Sequence, residues 1–478
     1  MTSQSTSPSA PSRNRLPVPE GTIPVGIALI IAGVATYAFF LVGKSAVGGD
    51  EQFEPIVSLW FATFALAPGF FLPLEQELGR ALAQRRAVGD GTKPVIQKVV
   101  RLSIMLVAVI VLAILAASPL IASDYFDGDS IMVLALIATF IAYAPAHLAR
   151  GVCSGSGRFR DYAIIMGSDG VVRIILCVLL AAVGIKAAGA YGFAVAVSPL
   201  FAVAYVWRRG ALEPIARRLR PATPPLPEAA GLTDADARHD GGAVEEFDDG
   251  SPADWNEVTP NLGWLLLGSV FAASLLNAGP ITASLLAADN EGGFVTRFSY
   301  GVLLARVPLF LFQAVQAALL PGLSRMAAQG QLTEFRTGLK KLMYVVLAVG
   351  VIGTSGAFVL GPLAIEIVYD AELTGRTLAM LALGSACYMM ALAFAQAVIA
   401  LKGHALVAAG WGIGVVTFVV VTWLASDELF RRIEIGLLAS SVAALITFAV
   451  ALRSRLRSGV IPDQASVMEA ITDQPFES

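Results

Sequence analysis

Arg306 stands in the apolar stretch Leu304-Ala-Arg-Val-Pro-Leu-Phe-Leu-Phe-Gln-Ala-Val-Gln316, with no acidic residue within a turn or two. A charge at mid-bilayer costs roughly 2.5–3.5 kcal/mol on insertion scales, so such a group faces a partner or a wet cavity. Its partner must come from another helix, the headgroup region or a ligand. Gln313 and Gln316 follow at spacings of seven and three, near the same helical face. Pro308 removes a backbone donor and can bend the helix there. The competing reading places Arg306 near a span end, where its side chain snorkels to the interface.

A second charged pair lies in Ile164-Ile-Met-Gly-Ser-Asp-Gly-Val-Val-Arg173. Asp169 and Arg173 are four apart, on one helical face, and can pair. Two readings stay open. The pair neutralises itself and makes the helix insertable, or Arg173 meets an anionic substrate while Asp169 tunes it or takes part in ion coupling. Asn277, Gln396 and His147 are lesser polar candidates, which in membrane helices more often make interhelical contacts. Glu75 and Glu77 sit at the predicted mouth of the second span, where a solvated loop is the default. A cytoplasmic gate pairing them with Arg150 or Arg158 is the alternative.

The elements that carry these groups are apolar helices. The chain of 478 residues is 56% hydrophobic and 14% charged, with a mean hydropathy of +0.71. About 20 helical residues cross a hydrocarbon core. Twelve runs meet that length: 21–43, 54–74, 99–117, 129–149, 163–184 and 188–207, then 261–288, 298–323, 342–361, 377–400, 408–425 and 434–452. The expected organisation is a disordered cytoplasmic tail (1–20), a six-helix lobe (21–207), an acidic cytoplasmic linker (208–260), a second six-helix lobe (261–452) and a cytoplasmic tail (453–478). The linker opens basic, turns acidic around Glu245–Asp249, and reads as a solvated tether.

With the N-terminus in the cytoplasm, 25 Lys and Arg fall on the cytoplasmic side and 6 on the other, a strong positive-inside bias. Both termini are then cytoplasmic, and the expected location is the cell membrane. Six spans per half imply a parallel repeat about an axis along the membrane normal. Ser118-Pro-Leu-Ile-Ala-Ser-Asp-Tyr-Phe-Asp-Gly-Asp129 aligns without a gap on Gly361-Pro-Leu-Ala-Ile-Glu-Ile-Val-Tyr-Asp-Ala-Glu372, each read as the loop after a third span.

Cys153, Cys177 and Cys387 are scattered, as are the three histidines, so no metal site or cofactor is expected. No phosphate-binding glycine loop, HExxH or nucleophile elbow occurs, and no enzyme activity or nucleic-acid partner is expected.

Pro68-Gly-Phe-Phe-Leu-Pro-Leu-Glu-Gln-Glu77, Arg150-Gly-x-Cys-Ser-Gly-x-Gly-Arg158-Phe, and Arg306-x-Pro308 ahead of Leu320-Pro321 resemble the polysaccharide-exporter branch of the multidrug/oligosaccharidyl-lipid/polysaccharide (MOP) flippase superfamily. The resemblance spans about 21–452, and the long acidic linker departs from its compact pattern. It implies an all-α membrane protein of about twelve helices in two lobes around a V-shaped central cavity. It also implies a polyprenyl-diphosphate-linked glycan as substrate, moved from the inner to the outer leaflet, with a glycan polymerase or glycosyltransferases of the same pathway as partners. Arg306 and Arg173 are then the expected diphosphate contacts. The alternatives are a multidrug or metabolite ion-coupled antiporter, a peptidoglycan-precursor flippase (which usually has two more spans), and a membrane scaffold.

Overall fold

The computed structural model describes residues 22–210, 251–255, 262–287, 293–309, 329–401 and 403–458, with 312 and 326. These residues are helical, with no strand among them. The first half comprises α1 (Thr22–Val47), α2 (Asp50–Ala87), α3 (Lys93–Ala116), α4 (Ser130–Gly155), α5 (Phe159–Ala182) and α6 (Ala188–Arg208). The second comprises α7 (Leu262–Leu286), α8 (Phe294–Ala305), α9 (Leu332–Tyr369), α10 (Gly375–Ala400), α11 (His404–Leu424) and α12 (Leu429–Ser458). Eleven of these are long and apolar enough to cross a membrane. The described part of α8 is too short by itself, because its sequence run continues into 313–323, outside the described residues.

The two halves share one neighbour map. In the first, α1 packs on α5, α2 on α4, α3 on α4, α4 on α6 and α5 on α6. In the second, α7 packs on α11, α8 on α10, α9 on α10, α10 on α12 and α11 on α12, the same pairs shifted by six. That is the arrangement a parallel duplication produces. The lobes meet where α2 lies against α7 and α8. Helix direction puts Arg80, Arg85, Lys98, Arg150, Arg158 and Arg455 at one end of the bundle, here termed the basic end. The opposite end carries the α1–α2 and α7–α8 connections.

Two expected boundaries shift. The second span does not stop at 74: α2 stays helical to Ala87, because its charged segment finds partners instead of water. The stretch after 361 is likewise no loop, since α9 runs through Pro362 to Tyr369. Its counterpart after Ala116 breaks into a short turn and a π-helical turn, Ile121–Tyr125. Even so, both matched segments end alike. Asp127 (φ 51°) and Asp370 (φ 49°) occupy equivalent alignment positions, and both adopt the left-handed conformation. Among the described residues, no other non-glycine has a positive φ.

Small residues let the helices approach closely. Gly151 and Gly155 of α4 lie against α2, where a Cβ at 151 would come within 2.8 Å of the Glu75 carbonyl oxygen. One at 155 would come within 2.8 Å of the Gly79 carbonyl oxygen. Their i, i+4 spacing brings the α4 and α2 backbones together and sets the geometry around Glu75.

Candidate functional site

The second helix organises the polar groups of the membrane interior. Arg173 reaches it from the first-lobe side: its guanidinium lies 4.6 Å from the Trp60 ring centroid and 5.2 Å from that of Phe64. It pairs with Asp169 at 2.5 Å and donates to the Tyr143 hydroxyl at 3.0 Å, while Ser198 donates to Asp169. Tyr143 comes from α4 and Ser198 from α6, so the i, i+4 pair on α5 is closed by its two neighbours. Arg306 reaches α2 from the second lobe, 5.3 Å from the Phe61 centroid. It donates to the Leu276 carbonyl at 2.5 Å and to Asn277 Oδ1 at 3.0 Å. Asn277 in turn donates to the Phe64 carbonyl of α2 at 3.2 Å. Arg306 thus binds another helix, the first of the three partner types its sequence allowed.

The two arginines reach α2 from different lobes, and the spaces beside them are separate. Arg306 borders a cavity with Leu276, Ala305, Leu381 and Tyr388, whereas Asp169 borders one inside the first lobe with Tyr143, His147 and Arg150. Gln313 and Gln316 lie outside the described residues.

Of the cytoplasmic-gate residues, Glu75 does pair with Arg150, but in a buried setting in place of the solvated loop. Glu75 is 4% exposed, not in a solvated loop. Its Oε2 accepts from Arg150 Nη2 at 2.8 Å and lies 2.9 Å from His147 Nδ1, and its Oε1 accepts from Tyr162 at 2.9 Å. Glu77 pairs with Arg80 at 2.6 Å, and Arg158 donates to the Gly210 carbonyl at 3.3 Å. Each of these contacts joins parts of one lobe.

At the far end, a cluster of contacts built on charged residues bridges the lobes. Tyr300 of α8 donates to Asp50 Oδ1 at 2.9 Å, Thr296 donates to the Asp50 carbonyl at 2.8 Å, and the Val295 amide donates to Glu54 Oε1 at 2.9 Å. Lys44 pairs with Asp50 at 3.0 Å and also donates to the Tyr369 carbonyl of α9. Tyr300 and Tyr369 stack with centroids 4.1 Å apart. Sequence reading missed this seal, because Lys44 and Asp50 flank Gly48-Gly49 and look like an ordinary loop between spans.

Toward the basic end, the lobe interface holds a cleft of about 80 Å³. Gln76 of α2, Trp264 and Ser269 of α7, Tyr388 and Gln396 of α10, and His404 and Trp411 of α11 line it, with no Asp or Glu among the described lining residues. Leu276 and Tyr388 form a wall shared with the Arg306 cavity. Of this set the sequence singled out only Gln396; tryptophans in apolar runs carry no signal of a cleft.

Solved structures with this architecture are MATE transporters and other members of the MOP superfamily. A multidrug resistance MATE family transporter of the MOP superfamily, in an outward-facing conformation, matches with a TM-score of 0.62 at 14% identity, over 92% of this chain and 96% of that one. A Vibrio cholerae MATE transporter in its bent form gives 0.59 at 15%, over 92% and 98%. A MOP superfamily transporter from Pyrococcus furiosus, described as having a binding pocket of reverse polarity, gives 0.61 at 14%, over 92% and 96%. No family model matches the sequence, and no curated protein matches it. At these identities the likeness establishes the fold: this chain has the two-lobe, MATE-like transporter fold.

Proposed function

We propose that this protein is a flippase for a polyprenyl-diphosphate-linked glycan, working by alternating access with its basic end in the cytoplasm. The observation that carries the reading is the lining of the inter-lobe cleft: Trp264, Trp411, Tyr388, Gln76, Gln396 and His404, with no carboxylate among the described lining residues. Sugar rings present C–H faces and hydroxyl edges. Aromatic faces carry negative quadrupole density that suits the C–H faces, and side-chain amides both donate and accept toward hydroxyls. An organic cation would find no countercharge in that lining. Arg306, one cavity wall away, supplies a guanidinium suited to bidentate contact with a diphosphate. Arg173, already paired with Asp169, is the weaker of the two contacts. Ligand pockets run to about 300–1,000 Å³, so a cleft of about 80 Å³ must widen to load such a substrate.

The second reading, a multidrug antiporter, is favoured by the neighbour described as a multidrug resistance transporter. Proteoliposomes separate the two. Arg306→Gln and Arg173→Gln variants are assayed for translocation of a lipid-linked glycan, and the native protein for ion-driven efflux of an organic cation. The flippase reading expects glycan translocation that falls in the variants, most in Arg306→Gln, and no cation efflux. Undiminished glycan rates in both variants sink the assignment of the arginines. Cation efflux without glycan translocation sinks the flippase.

A further inference from the structure

The connection between the lobes does not run free from Arg208 to Leu262. Ser251–Trp255 is docked on the basic end of the first lobe, at the turn between α2 and α3. The Ser251 amide donates to Asp90 Oδ1 at 2.9 Å, and its hydroxyl donates to Asp90 Oδ2. Arg85, itself 4% exposed, donates to the Ser251 carbonyl and to the Gly91 carbonyl, each at 2.8 Å. Lys98 of α3 donates to the Ala253 carbonyl and lies 4.6 Å from the Trp255 ring centroid. Ala253 packs against the apolar cluster that runs through both lobes. The hydrogen-bonding partners Asp90 and Arg85 and the cation Lys98 all belong to the first lobe, although the segment sits next to the second in sequence.

Docking changes the length of chain that joins the lobes. Between Arg208 and Leu262 lie 53 residues, 209–261, with an extended reach of roughly 180 Å, which limits nothing. Between Trp255 and Leu262 lie only six, 256–261. Seven Cα steps at about 3.3–3.6 Å span at most about 25 Å.

We propose that Ser251–Trp255 is a strap that clips the interlobe connection to the α2–α3 turn and thereby limits how far the lobes part at the basic end. The proposal needs only two lobes that move, so it stands apart from the identity of the substrate. Its hold is largely polar, built on Asp90, Arg85 and Lys98, so release is a local event that breaks those bonds and withdraws Ala253 from the apolar cluster.

The test measures the distance between the lobes by spin labels at Val88→Cys and Ser454→Cys, both exposed and at the basic end, in the full chain in lipid nanodiscs. The native Cys153, Cys177 and Cys387 are buried. One variant removes docking (Lys98→Ala with Trp255→Ala). A second keeps docking but inserts twelve Gly/Ser residues between 258 and 259. A third deletes 215–245, on the slack side of the strap. A strap predicts a new long-distance population in the first two and the native distribution in the third. Native distributions in both the first and the second overturn it. The insertion changes none of the residues of Ser251–Trp255 or the partners named above, so it decides the matter even if the first variant folds poorly.

Discussion

The Tyr300 hydroxyl donates to Asp50 at 2.9 Å, tying the start of α8 to the start of α2 and so the second lobe to the first. Asp50 also holds Lys44, which continues to the Tyr369 carbonyl, so one carboxylate organises contacts from both lobes. Hydrogen bonds inside membrane proteins average about 0.6 kcal/mol and reach about 1.7. Tyr300→Phe should therefore favour opening of the far end by roughly threefold to twentyfold. Labelling of a cysteine placed at Thr296, with and without Tyr300→Phe, measures that shift. An unchanged labelling rate would remove Tyr300 from the seal.

The Glu75–Arg150 pair should behave as a buried unit. Breaking such a pair at one partner costs about 3–5 kcal/mol, because the other charge is stranded. Glu75→Gln should lower thermal stability most, since it leaves the Arg150 guanidinium beside His147. Arg150→Gln is expected to be milder, because Glu75 keeps its contacts with Tyr162 and His147. The double variant should lose less than the sum of the singles. Thermal unfolding in detergent gives the cycle, and strict additivity would contradict the coupling.

Asp127 and Asp370 hold left-handed backbone at the ends of matched segments. That conformation costs an L residue roughly 1–2 kcal/mol, less for Asp, and glycine nothing sterically. Asp127→Gly and Asp370→Gly should be neutral or stabilising, whereas Val at either position should destabilise by about 1–2 kcal/mol. Melting temperatures of the four variants test this. Equal tolerance of Val and Gly would mean the turns relax.

Asp90 titrates with the strap. Bonds from the Ser251 hydroxyl first, then the Ser251 amide, hold its carboxyl below the usual carboxylate range. A depressed carboxyl pKa contributes docking that is complete above the ordinary value and is lost as pH falls through the lowered one. Mobility of a spin label on Ser251→Cys would not report this, since that change removes the bond; a label at Asp254→Cys would. It should stay immobile across neutral pH and loosen only in acid, and Asp90→Asn should loosen it at neutral pH. Equal mobility in Asp90→Asn would exclude Asp90 as the anchor.

The primary sequence determined the bundle. Apolar runs of membrane-crossing length can only satisfy their backbones as helices, and the Pro-Leu…Asp match located the repeat, down to the shared left-handed turn at Asp127 and Asp370. It also determined the Asp169–Arg173 pair, because i, i+4 contact needs nothing beyond the helix itself. Whatever depends on separate helices meeting was decided by tertiary structure. Glu75 looked like a loop residue until Arg150, His147 and Tyr162 closed around it, and Gly151 and Gly155 had to fit against α2 for that to happen. Asp50 and Tyr300 are 250 positions apart, and no local pattern marks them as partners. The same holds for the cleft, whose Trp264 and Trp411 come from different helices. Helical periodicity fixes which face a side chain occupies; which face of which helix it then meets is set by packing between elements that the sequence only strings together.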